Sequence, residues 1–161
     1  WVDMPCKCNR APLSTAAGQD YAAMPDQQSP ITEETTTARH VVLYVEDNPA
    51  NMRLIERVFM RMDHIRLITT IDPQTGLQIA RKEQPDLIML DINLPGMTGT
   101  EMMLELRKEP IFADKPILAI SADAMQKNID EALSQGFDHY LTKPVDIREL
   151  QKIVESYLQP A

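Results

Sequence analysis

The side chains best suited to chemistry in this chain are carboxylates, an ammonium and a hydroxyl, each standing where a short apolar run stops. Asp86-Leu87-Ile88-Met89-Leu90-Asp91 ends on a carboxylate, and Ile92-Asn93-Leu94-Pro95-Gly96-Met97-Thr98-Gly99 follows at once. An apolar run bounded by turn residues reads as a buried strand, with Asp91 at its carboxyl end. Taken alone, such an Asp is well explained as a turn former or helix cap. Its companions change that weighing. Val41-Val42-Leu43-Tyr44-Val45 runs into Glu46-Asp47, Pro116-Ile117-Leu118-Ala119-Ile120 into Ser121, and Asp138-His139-Tyr140-Leu141 into Thr142-Lys143-Pro144. In a parallel sheet all of these lie on one edge, and ligands bind beyond the carboxyl ends of such strands. Three crowded carboxylates repel one another and attract a hard divalent cation. An oxygen-rich site with few protein ligands suits Mg²⁺. A lysine and a hydroxyl opposite would meet the oxygens of a phosphoryl group. The set reads as a site for phosphoryl transfer onto a carboxylate.

The elements that must position these groups follow from the pattern. The run at Val41–Val45 is apolar and β-branched, as in a strand covered on both faces. Pro49 opens a helix, since its missing N–H is harmless at the first helical position. Met52, Ile55, Val58, Phe59 and Met62 give that helix an apolar face. Ile65 to Ile71 reads as a second strand, and Pro73 starts a second helix through Leu77, Ile79 and Ala80. After the strand ending at Asp91, a third helix is expected from about Gly99 to Lys108, and a fourth from about Ala124 to Gln135 with Gly136 as its stop. Asp146 caps a final helix carrying Ile147, Leu150, Ile153, Val154 and Leu158, which ends three residues before the C-terminus, so no output domain is expected to follow. Five strands alternating with five helices predict a doubly wound α/β domain with helices on both faces. Strand order does not follow from periodicity.

Residues 1–39 differ from the rest. Pro5, Pro12, Pro25 and Pro30 recur among Ala, Ser, Thr and Gln, without helical or strand period. That composition buries too little apolar surface to offset ordering entropy, so residues 1–39 are expected to be a linker or flexible tail and 40–161 the folded domain. With 161 residues and 43% hydrophobic content, the chain can hold one ordinary core. Its net charge of −8 argues against nonspecific nucleic-acid binding. No apolar run reaches the length of a membrane span, and no signal-peptide pattern opens the chain. Cys6 and Cys8, one residue apart, make a poor disulfide and half a zinc site. His40, His64 and His139 lack metal-ligand spacing.

The segments Val45-Glu46-Asp47-Asn48, Leu90 to Gly99, Ser121-Ala122 and Tyr140-Leu141-Thr142-Lys143-Pro144 together resemble the signature of response-regulator receiver domains. The resemblance covers about residue 40 to the C-terminus. It implies a flavodoxin-like five-stranded sheet of order 2-1-3-4-5 and a cytoplasmic protein. It makes Asp91 the phosphoacceptor, and Glu46 and Asp47, with Asp91 and the backbone carbonyl of Asn93, the Mg²⁺ site. Lys143 and Ser121 would bind the phosphoryl oxygens, Ser121 and Tyr140 would form the switch, and the Lys143–Pro144 bond would be cis. The implied partner is a histidine kinase or histidine phosphotransfer domain, with neither nucleic acid nor membrane bound by this domain. The long segment ahead of the domain, and the run Glu46-Asp47-Asn48-Pro49-Ala50-Asn51, resemble the end of a hybrid sensor histidine kinase; a stand-alone receiver is the alternative.

Other chemistries fit less well. A calcium loop starting at Asp91 fails, because Pro95 and Met102 occupy ligand positions. A phosphatase of the haloacid-dehalogenase type needs a second Asp where this chain has Asn93. A flavodoxin-type carrier needs a phosphate-cradling loop after the first strand, where Glu46 and Asp47 would repel phosphate.

Overall fold

The computed structural model describes residues 40–159, so the tail expected over residues 1–39 lies outside the described residues. The elements run β1 (His40–Val45), α1 (Pro49–Phe59), β2 (Ile65–Thr70), α2 (Pro73–Glu83), β3 (Leu87–Asp91), α3 (Gly99–Arg107), a 3₁₀ turn (Pro110–Phe112), β4 (Ile117–Ser121), α4 (Gln126–Gln135), β5 (His139–Thr142) and α5 (Ile147–Leu158). The five strands form one parallel sheet of order β2-β1-β3-β4-β5. This is a doubly wound flavodoxin-like fold, and β1 and β3 are neighbours at the point where the strand order reverses.

Side-chain alternation along each strand divides the core into two layers. Val42, Tyr44, Leu87, Met89, Leu118 and Ile120 face the layer that holds Ile55 and Phe59 of α1 and Leu150 and Val154 of α5. Leu43, Val45, Ile88, Leu90, Ile117 and Ala119 face the layer of Leu77, Met102, Met103 and Leu106 from α2 and α3. The central strands β3 and β4 are buried at every residue, as their unbroken apolar runs require. The methionines of α3 fill the core, with Met102 and Met103 fully enclosed.

Helix starts follow local chemistry. Asn48 caps α1, accepting from the amides of Ala50 and Asn51, with Pro49 in the first turn. Asp72 caps α2 through the Thr75 amide. Thr98 and Glu101 form a reciprocal capping box at α3, and Asp146 caps α5. Gly136 ends α4 at φ +134°, a conformation that favours glycine.

Several boundaries differ from the sequence reading. The fourth helix begins at Gln126 rather than Ala124, because Asp123 holds the preceding turn: its carboxylate accepts from the Met125 amide and from Asn128 Nδ2. Helix α1 stops at Phe59, so Met62 reaches the core from beyond its end. Ile71 lies outside β2 and is exposed, and Ile147, on the outer side of α5, is 40% exposed. Asp86 and Asp138 stay outside their strands because each spends its carboxylate on a neighbour's amide, Val41 and Ile117 respectively.

Arg107 closes the opposite edge of the sheet. Its guanidinium donates to the carbonyls of Phe112 (2.6 Å), Lys115 (2.7 Å) and Gly136 (3.0 Å) and pairs with Asp138 at 2.7 Å. One side chain thereby ties the end of α3 to the chain entering β4 and β5.

Candidate functional site

The strand ends converge as the alternation dictates. Glu46 lies two residues beyond Tyr44, Asp91 two beyond Met89, and Lys143 two beyond Leu141, all on the α1/α5 side of the sheet. Ser121 lies two beyond Ala119, on the other side, and Tyr140 packs there as well. The same periodicity therefore separates the charged cluster from the hydroxyl and aromatic pair.

Glu46, Asp47 and Asp91 each bring one carboxylate oxygen within 4.8 Å of the others. Glu46 is fully buried and Asp91 is 3% exposed, whereas Asp47 is open to solvent. Lys143 Nζ sits 2.6 Å from Asp91 Oδ2 and 2.9 Å from Glu46 Oε2, so one ammonium bridges both buried carboxylates. The bond it precedes, Lys143–Pro144, is cis. The Asn93 amide donates to Asp91 Oδ1 at 2.8 Å. Gly99 is required by packing: a Cβ there would overlap the Asp91 carbonyl oxygen, and the Gly99 amide donates to Ile92 O at 3.0 Å. Helix α3 can thus begin hard against the strand that carries Asp91.

The two carboxylates share a cation yet are tuned in opposite directions. For Asp91, burial, joined by the neighbouring Glu46 charge, pushes the carboxyl up and outweighs Lys143 and the Asn93 amide, which pull it down. For Glu46, burial also pushes up, but Lys143, the Tyr44 hydroxyl and the Asn48 amide together hold it below the usual range. Glu46 has donors of its own in Tyr44 and Asn48, where Asp91 has only Asn93, and Asp91 is raised further by the Glu46 charge. Lys143 is pushed down by burial and pulled up further by Asp91 and Glu46, so it stays an ammonium.

Ser121 is buried, and its hydroxyl oxygen accepts the Asp123 amide at 3.2 Å; among the described residues it makes no hydrogen bond to Asp91. Tyr140 lies opposite Ala119 in the β4–β5 register, and its hydroxyl donates to Asp123 O at 2.7 Å. Ser121, Tyr140, Asn93 and Asp123 line one cavity of about 320 Å³ beside the charged cluster.

Sequence reasoning missed Tyr44, whose hydroxyl donates to Glu46 Oε2 at 2.7 Å from within the core. It read as one more apolar strand residue. The available signal was its place two residues before Glu46, hence on the same face. Asn51, within the run Glu46 to Asn51, donates to Glu46 Oε1 at 3.4 Å, a contact that spacing alone does not reveal.

The family model for the response regulator receiver domain matches residues 42–155, the whole of the site and nearly all of the described fold. The chain belongs to the response-regulator receiver family. This receiver domain is 32% identical over 120 residues to the polar-differentiation response regulator DivK of Brucella anthropi, covering 74% of this chain and 97% of DivK. It is 36% identical over 126 residues to the sensor histidine kinase GacS of Pseudomonas protegens, covering 76% of this chain but only 14% of the kinase. Among solved structures it resembles the receiver domain of the sensor histidine kinase PA1611 from Pseudomonas aeruginosa, at 30% identity and TM-score 0.67, covering 73% of this chain and 96% of that one. That structure carries a magnesium ion coordinated in its active-site cleft. The chemotaxis protein CheY4 of Vibrio cholerae shares the fold at 25% identity and TM-score 0.68, covering 74% of this chain and 98% of its own. The receiver domain is a module of two-component signalling, and its acidic cluster has the donor set a hard divalent cation takes. Among the described residues no helix is long and apolar enough to cross a membrane.

Proposed function

We propose that this receiver domain accepts a phosphoryl group on Asp91 from a phosphohistidine of a histidine kinase or histidine phosphotransfer domain. In the transfer an Asp91 carboxylate oxygen bonds phosphorus as the N–P bond breaks, and the imidazole nitrogen recovers its electron pair. The observation that carries this reading is the buried Asp91 carboxylate, facing two further acids and held by Lys143 at 2.6 Å. Glu46, Asp47, Asp91 and the Asn93 carbonyl would hold Mg²⁺, which when bound supplies positive charge to the transferring phosphoryl oxygens. Lys143 would neutralise the oxygens on the other side. Ser121 would then turn its hydroxyl from the Asp123 amide toward the phosphoryl group. Tyr140, held to the same Asp123 through its carbonyl, would move with that loop and alter the α4–β5–α5 surface.

The likeness to GacS and to the PA1611 receiver favours a place in a hybrid sensor kinase, and the near-full-length match to DivK favours a stand-alone regulator. We assign the chain to the first, with the receiver working in the cytoplasm. The test is mass spectrometry after exposure to acetyl phosphate with Mg²⁺. Wild type gains one base-labile phosphoryl group and Asp91→Asn gains none; gain by Asp91→Asn at the wild-type rate overturns the assignment.

A further inference from the structure

We propose that Tyr44 is a positioning residue for the cation site, acting entirely through Glu46; the inference rests on the Mg²⁺ reading above. A buried tyrosine hydroxyl needs a partner, so the bland account is that Glu46 merely satisfies Tyr44. The rest of Glu46's environment points further. A carboxylate offers about four acceptor directions. On Glu46, Oε2 receives Tyr44 at 2.7 Å and Lys143 at 2.9 Å, and Oε1 receives the Asn48 amide at 3.1 Å and Asn51 Nδ2 at 3.4 Å. All four directions are filled.

The four donors are not equivalent. Tyr44 sits in β1 with no exposed surface, and Asn48 and Asn51 belong to the cap and first turn of α1, so these three are fixed by the sheet and the helix start. Lys143 is the exception, since its ammonium is also bonded to Asp91 and keeps that shorter bond when Glu46 is given up. A cation entering between Glu46 and Asp91 can therefore take over the Lys143 direction on Oε2 without disturbing fold or cap. Tyr44 decides that outcome by holding the other direction on the same oxygen. Without its hydroxyl, Oε2 is no longer aimed, and the bound cation meets a carboxylate that must be ordered on binding.

The experiment is a Mg²⁺ titration of the full chain, followed through the amide chemical shifts of Asn48 and Asn93. Tyr44→Phe keeps the ring and its packing, and its spectrum before metal addition reports whether the fold is retained. Loss of a group that orients a metal ligand commonly weakens binding about 10–100-fold, so the Mg²⁺ Kd should rise by at least about tenfold in Tyr44→Phe. In a Glu46→Ala background, which leaves no side-chain oxygen to aim, the same change should leave Kd unaltered, which a general packing defect would not do. A Tyr44→Phe Kd within about twofold of wild type, a tighter Kd, or an equal effect in the Glu46→Ala background overturns the positioning role while leaving the metal site standing. Failure of wild type itself to bind Mg²⁺ overturns the site reading and this inference with it.

Discussion

Replacing Lys143 by Met removes the charge that bridges Asp91 and Glu46 while keeping most of the apolar stem. Both carboxylates are buried, the lysine side chain is 19% exposed, and its ammonium lies 2.6 and 2.9 Å from them. Once the cation is gone, two anions face each other with oxygens within 4.8 Å. At that separation and an effective dielectric of about 20, the repulsion that the ammonium no longer offsets is about 3.5 kcal/mol. Breaking a buried ion pair from one side costs about 3–5 kcal/mol in general, which agrees. Lys143→Met should therefore lose about 3 kcal/mol at neutral pH in EDTA, read from urea unfolding. Combining it with Asp91→Asn removes one of the two anions, so the lysine substitution should then cost at least about 1 kcal/mol less. Mg²⁺ should restore part of the loss in the single variant by replacing the missing charge. A cost below about 0.5 kcal/mol, or the same cost in both backgrounds, would refute the view that Lys143 stabilises the resting site through these two carboxylates.

Three further outcomes follow from the geometry. Ser121→Ala should accept phosphate yet lose the response around Tyr140, seen by comparing amide shifts with and without beryllofluoride; equal shifts in both proteins would break the proposed link between hydroxyl and aromatic. Asp72, held below the usual carboxylate range by the Thr75 hydroxyl and amide, contributes stability that is fully present above its unfolded value and lost as pH falls through its lower folded value. Asp72→Ala should thus lower the thermal midpoint at neutral pH, by an amount that shrinks in acid. Arg107→Lys should cost about 2 kcal/mol in urea unfolding, because an ammonium cannot serve four carbonyls and a carboxylate at once, and it should leave the Mg²⁺ Kd unchanged.

The parts of the site that were legible are those set by strand ends. Asp91, Glu46 and Lys143 each close an apolar run, and a two-residue period carries them to one side of the sheet. Strand order required the resemblance, because apolar β1, β3 and β4 look alike in composition. What could not be read were contacts set by side-chain reach rather than by period. Tyr44 passes for core because its ring is core, and only the hydroxyl reaches the site. Asp123 closes no apolar run and so carries no period to mark it, yet its amide, carbonyl and carboxylate hold Ser121, Tyr140 and the start of α4. The late start of α4 has the same cause, a side chain competing with the backbone for its amides. The 3₁₀ turn at Pro110–Phe112 was likewise invisible, since its three residues are too few to show a period.

The Arg107 clamp has a mechanical consequence. It pins the entrances of β4 and β5 to the end of α3, so in the proposed switch the amino-end edge would serve as the fulcrum of the β4–α4–β5 segment and the carboxyl end would carry the load. Ser121 stands four residues along β4 from Ile117, a lever arm of about 13 Å. A 1 Å displacement at that hydroxyl then corresponds to a tilt of about 4° over the same arm. In the switch proposed above, with that fulcrum fixed, travel would grow with distance from Arg107 and be greatest at Ser121, Asp123 and the first turn of α4, which is where the cavity shared by Ser121 and Tyr140 lies.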